Sequence, residues 1–237
     1  MDDVWDTEVW DYVKRLVPKD NNGSRIMLTS RLEDVAIYVN SNGSIHRVRF
    51  LSTTESWNLL HKMVFERECC PPELENLGKN IAESCHGLPL GVVVTGGLLS
   101  KANNTWEYWK NVAESVNSFA TTNDNRCLEI LSMSYNHLPH HLKACFLYMG
   151  VFPGDYKIPV SKLIKLRVAE GFIKTTGSKS LEEAAEEYLE DLVRRNLILA
   201  CQKRSNGKIK RCSIHDLVRD MCIREAKEEK FLHFINS

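Results

Sequence analysis

Asn206-Gly207 stands between two short runs rich in apolar and β-branched residues, 197–201 and 208–214. An Asn-Gly pair supplies the left-handed backbone that a two-residue hairpin turn demands, so the segment reads as a β-hairpin. Upstream, Ser180-x-x-Glu183 has the form of a capping box. Leu181, Ala184, Ala185, Tyr188, Leu189, Leu192 and Val193 then recur at helical spacing, and Arg194 and Arg195 follow where cations favour a helix C-terminus. Downstream, Leu217, Val218, Met221 and Cys222 mark another helix, while Pro159 opens an earlier one through Leu163, Ile164 and Val168 that ends near Gly171. Helices, a two-stranded wing and a closing helix make residues 151–237 a winged-helix domain.

The rest of the chain changes character twice. Residues 67–150 carry no strand signal. Pro71-Pro72 starts a helix through Leu74, Leu77 and Ile81 that Gly87 ends. Further helices hold residues 88–99, 105–116, 128–135 and 142–149, which together read as an all-α bundle. Residues 1–66 read as α/β. Helices are expected over 5–16 and 32–39, buried strands over 25–29 and 45–50, and Ser52-x-x-Glu55 caps a helix carrying Trp57, Leu60 and Val64. Strands alternating with helices imply a parallel sheet.

Composition narrows the function classes. Hydrophobic residues are 43% and charged ones 26% of 237, which suits a packed chain and not a disordered one. Lys+Arg and Asp+Glu both number 31, so there is no global attraction to nucleic acid or to an anionic membrane. The longest apolar stretch, residues 88–99, is broken by Pro89, Thr95 and a Gly pair, and falls short of the roughly 20 residues a membrane span needs. The acidic start Met-Asp-Asp-Val-Trp-Asp is no secretory signal. Eight cysteines, several within apolar runs, read as buried thiols in a reducing compartment. His137, His141 and Cys145 have a metal-like spacing, but Pro139 interrupts it and three ligands do not close a structural zinc site.

Several separate stretches resemble one family. Met1-Asp-Asp-Val-Trp5 is similar to the end of the magnesium-site strand of plant NB-ARC domains, the nucleotide switches of NLR disease-resistance receptors. Residues 23–31, Gly-Ser-Arg-Ile-Met-Leu-Thr-Ser-Arg, resemble the family's sensor strand, and residues 51–60 its next helix. Gly87-Leu-Pro-Leu90 stands where the family has that tetrapeptide. Residues 145–156 and 169–173 resemble the following two motifs, and Ile214-His215-Asp216 sits where the family keeps Met-His-Asp. Seven such stretches in family order span the whole chain. The coiled-coil class of receptors, and late-blight-resistance homologues in particular, give the nearest likeness.

The resemblance implies the end of a P-loop NTPase-type α/β subdomain (1–66), a helical bundle (67–150) and a winged helix (151–237), acting as an ADP/ATP switch in pathogen defence. It implies that Asp2 supports Mg²⁺, that Asp3 orients the attacking water, and that Arg31 meets the γ-phosphate. It places Gly87, Leu88 and Pro89 against the adenine or ribose side of ADP. His215 would donate to the β-phosphate, with Asp216 capping the last helix while orienting that histidine. The partners implied are own or sister receptor chains, together with a pathogen effector or guarded host protein recognised through repeats not present here. The location implied is cytoplasmic, with peripheral membrane association open to the parent receptor.

Four features depart from the family pattern. The Gly-rich phosphate loop and the apolar strand before Asp2-Asp3 are absent from these 237 residues, so the chain is expected to be a fragment that binds nucleotide poorly alone and does not hydrolyse ATP. Arg167 occupies a position where the helical period wants an apolar residue and the family places Trp. Ile214 replaces Met. The rival reading is a winged-helix DNA-binding regulator using the basic wing of Lys203, Arg204, Lys208, Lys210 and Arg211. Against it, the preceding helix carries Glu182, Glu183, Glu186, Glu187, Glu190 and Asp191, which would repel phosphate. A third reading is a protein–protein scaffold without nucleotide.

Overall fold

The structure, a computed structural model, describes residues 1–17, 23, 25–40, 45–101, 105–118, 123–154, 156–175 and 178–231. The chain divides into two compact units, Met1–Arg49 and Phe50–Ser237.

In the first unit, α1 (Thr7–Leu16) starts from Asp6, whose carboxylate accepts the Glu8 N–H at 2.9 Å. Its strongly amphipathic pattern buries no side chain. A second helix, α2 (Glu33–Val39), buries Val35. The buried strands expected over 25–29 and 45–50 do not form. Residues 25–30 are extended but mostly exposed, and their only backbone ladder among the described residues is with residues 1–4. Met1 N donates to the Met27 carbonyl at 2.8 Å, and Thr29 N–H to the Met1 carbonyl at 3.0 Å, a parallel pairing one residue long. Asp3 then breaks it. With φ at +49° it bulges, its N–H turns to Thr29 Oγ1 at 2.9 Å, and Val4 N–H takes the Thr29 carbonyl at 2.9 Å. The parallel sense expected from the sequence is therefore present only as this stub. An apolar run becomes a buried strand only where neighbouring strands and helices cover it, and no described residue of this unit does so.

The second unit begins with α3 (Thr53–Phe65), whose capping box between Ser52 and Glu55 is complete. Although the sequence groups it with residues 1–66, α3 packs on α4 (Pro72–Ser84) and α5 (Pro89–Leu99). With α6 (Trp106–Asn117) and α7 (Asn123–Asn136) they enclose one core of Leu60, Phe65, Leu74, Ile81, Val92, Trp109 and their neighbours.

Helix α8 (His140–Leu147) opens at Pro139 and runs into a 3₁₀ turn, Tyr148–Val151. The metal-like trio is separated by local bonds: His137 Nδ1 meets the Met133 carbonyl at 2.9 Å, His141 lies on the Tyr188 ring, and Cys145 is buried. Beyond it come β1 (Ile158–Pro159), α9 (Val160–Ala169), α10 (Leu181–Arg194), β2 (Leu199–Lys203), β3 (Ile209–Ser213) and α11 (Asp216–Glu228). The hairpin and both flanking helices stand where the sequence puts them, and the capping box of Ser180 and Glu183 is intact. The turn is not the two-residue form: Arg204 N–H donates to the Lys208 carbonyl at 2.8 Å around residues 205–207, and of the Asn206-Gly207 pair only Gly207 is left-handed, at φ +81°. The two-residue strand β1 was not legible. It pairs antiparallel through Ile158↔Cys212 and Pro159↔Arg211, giving a three-stranded sheet of order β1-β3-β2.

The bundle and the winged helix share a single core running from Val94 and Cys127 through Cys145 and Phe146 to Leu192, Met221 and Ala226. Their joint is tight at one point. A Cβ on Gly97 would lie 2.2 Å from the Arg195 carbonyl oxygen, so only glycine admits that backbone. The next residue, Asn196, is left-handed at φ +57° and donates from Nδ2 to the Val93 carbonyl at 3.1 Å. Lys101 adds an ion pair to Asp191 at 2.9 Å.

Candidate functional site

The three candidate residues of the first unit come together through its short parallel stub. Thr29 hydroxyl donates to the Asp2 carboxylate and accepts the Asp3 N–H. Asp3 is gripped from two sides. Arg31 approaches with Nε 3.2 Å from Oδ1 and Nη2 3.3 Å from Oδ2, and Trp5 Nε1 donates to Oδ2 at 3.1 Å. The Arg31 guanidinium also lies 5.2 Å from the Trp5 ring centroid. The side chains of Arg31 and Asp3 are 46% and 35% exposed, so this fork holds orientation more than it adds stability. Ser30 Oγ ties the same turn together by donating to the Val4 carbonyl at 2.7 Å.

Trp5 and Thr29 were not singled out from sequence. The signal was available, since both lie inside the stretches that carry Asp3 and Arg31. Their roles, however, depend on the bulge at Asp3, which no local pattern announces.

In the second unit, Gly87 has a demanding structural position. Its φ is +70°, its carbonyl accepts the Leu51 N–H at 2.9 Å, and a Cβ there would sit 2.2 Å from the Leu51 carbonyl oxygen. Leu88 is the N-cap of α5 in extended backbone, and Pro89 occupies the first helical turn, exposed, where its missing N–H costs nothing.

His215 takes over the capping role expected of Asp216. It is the N-cap of α11, and its Nδ1 accepts the Leu217 N–H at 3.3 Å. An accepting Nδ1 leaves the proton of a neutral imidazole on Nε2, so the ring keeps one N–H donor for a further acceptor. Asp216 is the first residue of the helix, with its carboxylate beside Gly154: a Cβ on that glycine would lie 2.8 Å from Asp216 Oδ1. The reason is geometric, because the side chain of a helix's first residue is displaced from the N–H groups that an N-cap side chain reaches.

These donor sets suit a magnesium nucleotide chemically. Asp2 and Asp3 offer the hard carboxylate oxygens that Mg²⁺ prefers. The Nε2–H of His215, at the positive end of an α-helix, suits a phosphate oxygen.

Met1–Arg49 thus holds two helices and a parallel stub, and Phe50–Ser237 holds a helical bundle and a winged helix. The model of the NB-ARC domain matches residues 1–70, and that of the disease resistance protein winged helix domain matches residues 151–222. The chain belongs to the NB-ARC family of disease resistance proteins. It is 44% identical over 237 residues to late blight resistance protein R1-A of Solanum demissum. Two putative late blight resistance protein homologs of the same species stand close by, R1B-8 at 44% over 238 residues and R1B-23 at 43% over 237. Each alignment covers 100% of this chain but only 18% of R1-A and R1B-23 and 20% of R1B-8, so the chain spans about a fifth of their length.

Proposed function

We propose that residues 1–237 are part of the ADP/ATP-responsive switch of a plant intracellular immune receptor. The division of labour proposed is residues 1–66 for the phosphate and metal end, 67–150 for the nucleoside side, and 151–237 for the winged helix that reports nucleotide state. The observation that supports this reading is the capping geometry of His215, in which Nδ1 accepts a backbone N–H and a neutral ring then keeps an Nε2–H donor. In this reading Nε2 donates to the β-phosphate of ADP and Gly87, Leu88 and Pro89 border the nucleoside. Asp2 supports Mg²⁺, and Asp3 orients water when a γ-phosphate is present. Asp3 and that γ-phosphate compete for the same Arg31 fork, so ATP would free the Asp3 carboxylate as it binds.

The sequence contains no Gly-x-x-x-x-Gly-Lys-Ser/Thr. Charge-assisted bonds are worth about 1.5–3 kcal/mol each. Forfeiting three of them costs on the order of 5 kcal/mol and over a thousandfold in affinity. The 237-residue chain alone is therefore expected to hold ADP weakly and to leave ATP intact.

The intact protein is proposed to act in the cytoplasm, to self-associate on activation, and to sense an effector or guarded host protein through other parts of the receptor. No helix among the described residues is long and apolar enough to cross a membrane. The DNA-regulator reading is not favoured, because α10 presents Glu182, Glu187 and Glu190 at its exposed face and the relatives are resistance proteins.

The test is chromatography of nucleotide released on denaturing the purified chain and, in parallel, the full-length receptor. Near-stoichiometric ADP from the receptor, lost on His215→Ala, supports the reading. Undiminished ADP in that variant removes His215 from the site, and micromolar ADP affinity of the isolated chain removes the inference drawn from the missing loop.

A further inference from the structure

Helix α9 drives Val160, Leu163 and Ile164 into the winged-helix core, and Arg167 continues that stripe, fully buried. A guanidinium carries five N–H donors. Only one of its nitrogens finds an acceptor among the described residues: Nη2 donates to the Cys145 carbonyl at 2.7 Å, while Nε and Nη1 have no partner.

Counter-ions are also lacking among the described residues. The titratable groups close enough to act on Arg167 are Cys145, Cys212 and Tyr148. Burial pushes all three up, Cys212 to about 11, so each is neutral at pH 7. Burial likewise pushes Arg167 down, yet a guanidinium remains protonated in proteins. The core thus encloses a cation with one acceptor and no described anion, among the most costly arrangements a fold can contain.

Relief requires the guanidinium to reach water, and α9 is the element that must move. Among the three helices of its domain, it is also the one whose start has no side-chain cap. Its N-cap, Pro159, offers no side-chain bond, whereas α10 has a full capping box and α11 is capped by His215. The strand leading into it pairs through two residues only.

We propose that Arg167 preloads α9 to leave the winged-helix core while α10 and α11 stay seated, a conformational release built into the domain. The inference rests on the core of the winged helix and is independent of any nucleotide.

Hydrogen exchange by mass spectrometry on the 237-residue chain tests it, with Arg167→Met and Arg167→Lys alongside the parent. In the parent, α9 amides exchange at least about tenfold faster than those of α10. The Arg167→Met chain slows α9 by about tenfold or more and raises the Tm by several degrees. A buried lysine can shed its proton where arginine cannot, so α9 of the Arg167→Lys chain exchanges at a rate between those of the parent and of Arg167→Met. Protection of α9 equal to that of α10 in the parent overturns the proposal without any variant. So does a Met variant that exchanges no more slowly, or a Lys variant that slows as much as Met.

Discussion

Helices α1 and α3 have similar lengths and both read as amphipathic, yet their fates differ completely. The described residues of Met1–Arg49 bury two apolar side chains, Val4 and Val35, and leave Val9, Tyr12 and Leu16 of α1 exposed. In Phe50–Ser237, α3 places Leu60 and Phe65 in a closed core with Trp109. The difference lies in what surrounds the helix, because a hydrophobic stripe is stabilising only to the extent that something covers it.

The sharpest way to break this comparison is to truncate one side chain in each unit. Leu60→Ala should cost about 2–5 kcal/mol in denaturant unfolding, the range for a fully buried leucine. Tyr12→Ala should stay within about 0.5 kcal/mol. Equal losses would mean that α1 is covered in solution. A smaller effect is expected at the joint of bundle and winged helix. Gly97→Ala forces a Cβ against the Arg195 carbonyl and should cost about 1–3 kcal/mol, read from the same unfolding curves. An unchanged midpoint would show that the joint yields without strain.

Alkaline titration separates the units differently. Burial lifts the Cys85, Cys127 and Cys212 thiols from the ordinary 9.0 to about 11, and all three lie in the second unit. Unfolding then releases protons across that interval, so the second unit loses stability as pH rises from 9 to 11. A flat Tm over that range would contradict the burial of the thiols. The mildest probe is hydrogen exchange of the unmodified chain, with rapid exchange in α1 and α2 and slow exchange in α5 and α8. Uniform protection would erase the contrast.

The same contrast governs how much was legible. The second unit announces itself through short-range chemistry: two capping boxes, an Asn-Gly turn, and stripes whose partners lie within the chain. In the first unit the apolar runs at 25–29 and 45–50 state a need for cover without supplying it, and strands inferred from them do not form. Candidate positions such as Asp3, Arg31 and His215 were readable as residue types in family order. Their geometry was not, because the bulge at Asp3 and the capping by His215 depend on backbone angles and neighbours that residue order leaves open. Arg167 is instructive in the opposite sense. Helical period marks the position as internal, and the structure keeps it so in spite of the charge.

Helix α5 has a mechanical property of its own. Pro89 stands at one end, beside the Gly87-Leu88 step, while Val93 and Gly97 form the seat for Asn196 and Arg195. Gly97 lies eight helical steps beyond Pro89, about 12 Å at about 1.5 Å each. This short rod is a lever: a tilt of about 10° pivoting near Pro89 carries the far end roughly 2 Å. At Gly97, where there is no room for even one methyl group, such a stroke exceeds the clearance at the Arg195 carbonyl.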